Sequence, residues 1–336
     1  MTLPCSLVRT AVLIHVLVLP ALVAQTDAEL VERFDQAESV ADWTAALEAA
    51  TTIVERHPKA ASWAFRAGRL HSKLGSPEEA LRLLGRSAEL GYTGVRSFEE
   101  HEHLGSLREH ADFLAILGRV QENARRRLAG FQEHAAGHQH PVFVPTGLPS
   151  GTAPPLIVAL HGTGGTGAGM LAVLKTAAQR NGAVLLGLDA LRPRGNGYSW
   201  TYRDEAEWLI LDAIETAVDT HGVDSKRVVL VGFSQGANIA LTLAQTHPDR
   251  MRAILPICGH YEPDLVDDGS TPARVFLLTG ENDAWKDTYR RAQRDFQRAG
   301  AKTRLRTVPG LGHEVPTGRS GEAELTKALR WCLAGS

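Results

Sequence analysis

The chain has 336 residues, 43% apolar and 22% charged, with 36 basic residues against 38 acidic ones and a formal net charge of −2. Such a length suits about two domains. The apolar fraction excludes wholesale disorder and fibrous classes, and the charge balance gives no pull toward nucleic acid or an anionic membrane. Three cysteines are too few for a disulfide scaffold or a cysteine-rich zinc site.

Residues 1–24 read as a secretory signal peptide. Arg9 supplies the basic start, Ala11 to Ala24 the apolar stretch, and Ala24 a small residue for cleavage, with Leu22 tolerable at the −3 position. The apolar run is shorter than the ~20 residues of a membrane span, and Pro20 interrupts it. A retained N-terminal anchor is the alternative. Cys5 precedes the apolar stretch, which argues against a lipid-modified cysteine. The expectation is an exported protein, periplasmic or secreted, with no stable membrane span after cleavage. Cys258 and Cys332 then remain. Cys332 falls on the apolar stripe Leu325, Ala328, Leu329 of a terminal helix, where cysteine acts as a small hydrophobe. Two buried thiols are favoured over a disulfide.

Residues 27–135 are rich in Ala, Leu, Glu and Arg and lack strand signals. A 34-residue self-similarity lays Asp42-Trp-Thr-Ala-Ala-Leu47 against Ser76-Pro-Glu-Glu-Ala-Leu81, with Gly68 and Gly75 at packing and turn positions. That period resembles the tetratricopeptide repeat over about 27–94. Two units are fewer than a free-standing array needs, so Asp112–Leu128 is expected to cap them. The region reads either as a groove for a protein or peptide partner or as a helical appendage.

Residues 136–155 are rich in turn-formers and form a linker that includes a first strand. From 156 to 336, or 141–336 with that strand, short continuous apolar runs alternate with amphipathic helices. The runs begin at Leu156, Ala183, Val228, Ala253 and Val275. Unbroken apolar runs suit strands covered on both faces, and strand–helix alternation predicts an α/β fold with a mostly parallel sheet.

Within it, Val228-Val-Leu-Val-Gly232-Phe-Ser234-Gln-Gly236 places Gly-x-Ser-x-Gly between a buried strand and a helix. The glycines let the backbone pass close to its neighbours at a sharp turn, holding the Ser234 hydroxyl out at the carboxyl edge of the sheet. A serine needs a base to become a nucleophile, and this arrangement predicts an acid and then a histidine downstream. Asp283 follows the strand Val275–Leu278, with Glu281 and Asp287 as alternatives. His313 sits in the turn Pro309-Gly-Leu-Gly-His313. The backbone amides of Gln235 and Thr163 are the expected oxyanion donors, Thr163 from the glycine-rich loop that follows Leu160. His161 is read as a brace for that loop.

These motifs identify 141–336 as similar to the α/β-hydrolase superfamily. Gly-Phe-Ser-Gln-Gly and Leu-His-Gly-x-Gly resemble the compact phospholipase/carboxylesterase group, and Val223-Asp-Ser-Lys-Arg-Val228 is similar to feruloyl-esterase and polyhydroxybutyrate-depolymerase-like members. The resemblance implies an α/β-hydrolase fold that hydrolyses a small-molecule or polymer-borne ester or thioester through an acyl-serine, with neither metal nor organic cofactor. The short connection between Ile257 and Arg274 leaves no room for a large lid.

Tyr198, Trp200 and Tyr202 lie in an Arg-rich loop after a strand, and Tyr261 and Trp285 follow strand ends; all five are candidate pocket walls. Three other functions compete. One is a peptidase, since the same triad chemistry serves amides. Another is a binding protein on an inactive hydrolase fold. The third is an NAD-dependent oxidoreductase, because Gly162-x-Gly164-x-x-Gly167 with Asp189 after the next strand matches a dinucleotide fingerprint.

Overall fold

The structure is a computed structural model and describes residues 25–149, 151–261 and 271–334. The signal-peptide reading and Cys5 lie outside these residues, as does most of the connection from Ile257 to Arg274. The chain divides into two compact units, 1–127 and 128–336.

The first unit is helical. It comprises α1 (Asp27–Ser39), α2 (Trp43–Arg56), α3 (Ala61–Lys73), α4 (Pro77–Glu89), α5 (Val95–Glu100), a 3-10 turn over Glu102–Leu107 and the start of α6 (Ala111–Ala135). Local chemistry sets the helix starts. Thr26 and Glu29 form a reciprocal capping box on α1, the Asp42 carboxylate accepts the Ala45 N–H at α2, and Pro77 opens α4. Small residues set the packing: Ala46, Ala49 and Ala50 are fully buried, and a Cβ on Gly68 would stand 3.0 Å from Leu84 Cγ.

The spacing of these elements departs from the expectation of two units and a cap. Asp27, Ala61 and Val95 start elements 34 residues apart, as do Trp43, Pro77 and Ala111. There are thus three helix pairs. The first member of the third pair is broken: His101, at φ −59° and ψ 123°, leaves the helical region between α5 and the 3-10 turn. The polar run Glu99-Glu-His-Glu-His103 hides that helix from an apolar-periodicity reading. The segment is nevertheless tied to α3. The buried Arg69 guanidinium meets His103 Nδ1 at 3.3 Å and the Glu38 carboxylate at 2.6 Å, while Ser72 Oγ donates to the His103 carbonyl at 2.6 Å.

The second unit is built on a seven-stranded sheet. Its strands are β1 (Val142–Phe143), β2 (Leu156–Leu160), β3 (Val184–Leu188), β6 (Val228–Phe233), β7 (Ala253–Ile257), β8 (Arg274–Gly280) and β9 (Lys302–Val308), in the order β1-β3-β2-β6-β7-β8-β9. Only β1 is antiparallel. β4 (Arg192–Arg194) and β5 (Gly197–Ser199) form a separate hairpin inside the Arg-rich loop. Helices α8 (Arg203–His221), α9 (Gln235–Thr246) and α10 (Lys286–Arg298) contribute to one core cluster, and α7 (Gly167–Asn181) and α11 (Gly318–Leu333) to the other. Alternate residues of β2 enter opposite clusters, which explains why the central strands read as unbroken apolar runs. This is the α/β-hydrolase arrangement expected from the sequence.

Cys258 and Cys332 are both buried and unpaired with each other. No helix among the described residues is long and apolar enough to cross a membrane.

Candidate active site

The sheet delivers three side chains to one place. Ser234 directly follows β6 and caps α9 with φ 51° and ψ −115°, a backbone state that a non-glycine residue adopts at a cost of about 1–3 kcal/mol. Its flanking glycines are fixed by close approach. A Cβ on Gly232 would fall inside the van der Waals shell of the Gly236 carbonyl, and one on Gly236 would stand 2.5 Å from the Leu160 carbonyl oxygen. The Ser234 N–H donates to the Ile257 carbonyl at 3.0 Å, which locks the turn onto β7.

His313 Nε2 lies 2.9 Å from Ser234 Oγ, and His313 Nδ1 lies 2.6 Å from Asp283 Oδ2. A carboxylate can only accept, so Nδ1 carries the proton and Nε2 presents its lone pair to the serine hydroxyl. The Asp283 side chain is fully buried, and its other oxygen accepts the Trp285 N–H at 2.7 Å. The histidine loop is held to the aspartate loop by the backbone. Asn282 N–H donates to the Leu311 carbonyl at 2.9 Å, and Gly310 N–H donates to Glu281 Oε2 at 2.9 Å. Glu281 therefore serves the histidine turn and Asp287 stays exposed on α10, which leaves Asp283 as the partner of His313. Gly280 makes the approach possible, because a side chain there would strike the Leu311 and Gly312 carbonyls. Cys258, at φ 51°, packs its thiol 3.6 Å from the Glu314 carbonyl, and burial raises that thiol to about pKa 11.

The glycine-rich loop lies against the serine: a Cβ on Gly162 would stand 3.2 Å from Ser234 Cβ. Thr163 is exposed, and its hydroxyl donates to Gln235 Oε1 at 3.1 Å. Gln235 is the first residue of α9, so its N–H has no acceptor within the helix. His161 Nδ1 donates to the Gly162 carbonyl at 2.7 Å, and its Nε2 accepts the Ala190 N–H at 3.1 Å. Burial holds the ring below the ordinary imidazole range, so it stays neutral with both nitrogens engaged.

The five wall candidates divide. Trp200 and Tyr261 are buried and line no open wall, which corrects the sequence reading. Trp200 stacks on His161 at 5.1 Å and donates its indole N–H to the His161 carbonyl, while Tyr261 packs against Phe296. Tyr198 is half-buried against His138. Tyr202 is exposed beneath the Arg192 guanidinium, itself paired with Glu205. Trp285 is 46% exposed, faces His260 at 4.7 Å and directly follows the Asp283 turn. The dinucleotide reading also meets an obstacle. Asp189 Oδ1 accepts the Gly167 N–H at 2.7 Å and Thr166 Oγ1 accepts the Gly169 N–H at 3.1 Å, so protein oxygens already occupy amides that a pyrophosphate would need.

Among the described residues no group of three or more His, Cys, Asp or Glu side chains is placed to hold a metal ion. A cleft of about 700 Å³ lined by Lys226, Arg250 and Arg252 lies at the amino ends of the strands, opposite the serine.

Residues 155–309 match a family model described as the alpha/beta hydrolase fold. The unit spanning Leu128–Ser336 is thus an α/β-hydrolase-fold domain. Over 201 residues the chain is 28% identical to NocK of Nocardia uniformis subsp. tsuyamanensis, a protein described provisionally as an esterase. That match covers 56% of this chain and 53% of NocK, so the chain spans about half the length of this curated relative. Among solved structures, esterase PE8 is 23% identical with a TM-score of 0.49, covering 58% of this chain and 99% of that one. A carboxylesterase from Mesorhizobium loti is 20% identical with a TM-score of 0.47, covering 57% and 99% respectively.

Proposed function

We propose that the protein is an exported serine hydrolase that cleaves carboxylic esters or thioesters, small or polymer-borne, through an acyl-Ser234 intermediate. The observation that carries the reading is the single hydrogen-bonded line from Ser234 Oγ through His313 to the buried Asp283. His313 Nε2 takes the hydroxyl proton as Ser234 Oγ attacks the acyl carbonyl. Asp283 holds the imidazole in the required tautomer and stabilises the imidazolium. The amides of Gln235 and Thr163 receive the oxyanion. Collapse of the intermediate expels the alcohol or thiol, which takes its proton from Nε2, and the acyl-serine remains. Water, deprotonated by the same nitrogen, then releases the acid and restores the serine.

A strained Ser234 backbone with an intact partner set argues against an inactive binding protein. The same line of residues suits a peptidase, so a substrate panel of ester, thioester and peptide separates those outcomes. Export is proposed from residues 1–24, and a protein or peptide partner is proposed for the helical unit. The test is Ser234→Ala. It is expected to cut turnover of a short-chain nitrophenyl ester by about 10⁴-fold or more and to abolish labelling by a fluorophosphonate, with the fold intact by circular dichroism. Retained turnover would sink the mechanism.

A further inference from the structure

We propose that the side chain of Gln235, beyond its backbone amide, is a positioning residue for the reaction: its carboxamide sets the glycine-rich loop so that the Thr163 and Gln235 amides face one oxyanion. The inference rests on the Ser234 reading above and deepens it.

Four hydrogen bonds converge on this carboxamide. Oε1 accepts from Thr163 Oγ1, from Ser199 Oγ and from the Trp200 N–H, each at 3.1 Å, and Nε2 donates to the Trp200 carbonyl at 3.2 Å. The exchange with Trp200 runs both ways, as between paired strands. It demands a donor and an acceptor side by side on one plane, which a carboxamide supplies in a single uncharged, non-titrating group, and Asn is one methylene shorter.

Two routes then lead from Gln235 to the loop. The first is direct, through the Thr163 hydroxyl. The second runs through Trp200, whose indole N–H donates to the His161 carbonyl at 2.9 Å. Between these two anchors lies Gly162, packed against Ser234. The far side of the loop is tied by backbone to β5, where the Gly164 N–H donates to the Tyr198 carbonyl at 2.8 Å and the Tyr198 N–H donates to the Gly165 carbonyl at 3.0 Å. The next two residues of that segment, Ser199 and Trp200, are the ones that bond the Gln235 carboxamide. The residue that supplies one oxyanion donor therefore holds the segment that supplies the other. Oxyanion donors stabilise a transition state to the extent that they are already in place.

The test uses the full-length protein and a short-chain nitrophenyl ester. Gln235→Met keeps length and removes both polar groups. Thr163→Val removes only the hydroxyl at an exposed position, so misfolding is not a concern there. The readouts are kcat, KM, thermal midpoint and inhibition by a trifluoromethyl ketone, which forms a tetrahedral adduct on serine. Gln235→Met is expected to lower kcat by about 10–100-fold, since small misplacements near the reacting atoms cost up to about 100-fold. KM should move by less than about 3-fold, and ketone inhibition should weaken in proportion to the lost kcat/KM. Thr163→Val should lose kcat in the same sense, Thr163→Ser should restore most of that loss, and the double variant should fall short of the product of the singles. The proposal is overturned if both variants keep kcat within about 3-fold of the parent, or if kcat falls only with the folded fraction while ketone inhibition per folded molecule holds. Ser234→Ala runs alongside. Turnover in that variant rejects the nucleophile reading, whereas an inactive Ser234→Ala beside a fully active Gln235→Met rejects this proposal alone.

Discussion

Ser234 shows how a functional residue is kept in place against its own backbone preference. At φ 51° and ψ −115° its Cβ makes the turn costly, whereas a glycine would not pay that penalty. Ser234→Ala and Ser234→Gly both remove the nucleophile, but only the second relieves the turn. Ser234→Gly is expected to be more stable than Ser234→Ala by about 1 kcal/mol after glycine's larger unfolded-state entropy is subtracted. Thermal unfolding of the pair measures this, and equal midpoints would show that the turn is unstrained. The serine, its two glycines and the downstream order of acid and histidine were legible because they are contiguous or obey a chain-order rule. The Gln235 carboxamide was not, since its partners Thr163, Ser199 and Trp200 are brought to it by the fold. Gly280 was missed for the same reason: its constraint comes from Leu311 and Gly312, on the loop after the neighbouring strand.

At the scale of elements, burial pattern decides what a sequence discloses. The strands β2, β3, β6 and β7 are covered on both faces and announce themselves as apolar runs. The edge strand β9 starts at Lys302, and its half-exposed first residues carry no such signal. In the helical unit the broken third pair hid in the same way, and its chemistry makes it acid-sensitive. Burial, then Arg69 and then His103 lower His101 to about pKa 4. Burial, then Arg69 and Lys73, lower His103 too, with Glu102 and Glu38 opposing. Both folded values lie below the unfolded imidazole value of about 6.5. Between the two the unfolded chain binds more protons, so this stabilisation is complete above about pH 6.5 and is lost as pH falls toward about 4. Amide exchange over residues 61–107, corrected for intrinsic rates, should speed up between pH 7 and pH 5. His101→Asn keeps an acceptor for the His103 N–H and should weaken that dependence. Equal protection at both pH values would remove the histidines from the account.

At the scale of the whole molecule, the residues assigned to chemistry fall between Thr163 and His313, all in the second unit, while the first unit carries its own apolar clusters around Phe98 and Phe34. The sequence disclosed that division through composition, because a helix-rich stretch gives way to turn-formers and then to strands. It did not disclose where compactness changes hands. The division falls at 127/128, inside α6, whose last turns place Phe131 against Trp208 and His134 against Arg192. Two compact units are not expected to unfold as one two-state system. In guanidinium, loss of ester hydrolysis should report the second unit, and exchange protection of α1–α4 the first. The two midpoints are expected to differ, each with a slope smaller than a chain of this length would give in a single transition, because the slope follows the surface exposed. At pH 5 the midpoint for α1–α4 should move to lower denaturant, in keeping with the lowered His101 and His103. Coincident midpoints at both pH values would instead make the chain a single cooperative body, and the acid sensitivity of the helical unit would then appear in the hydrolysis curve as well.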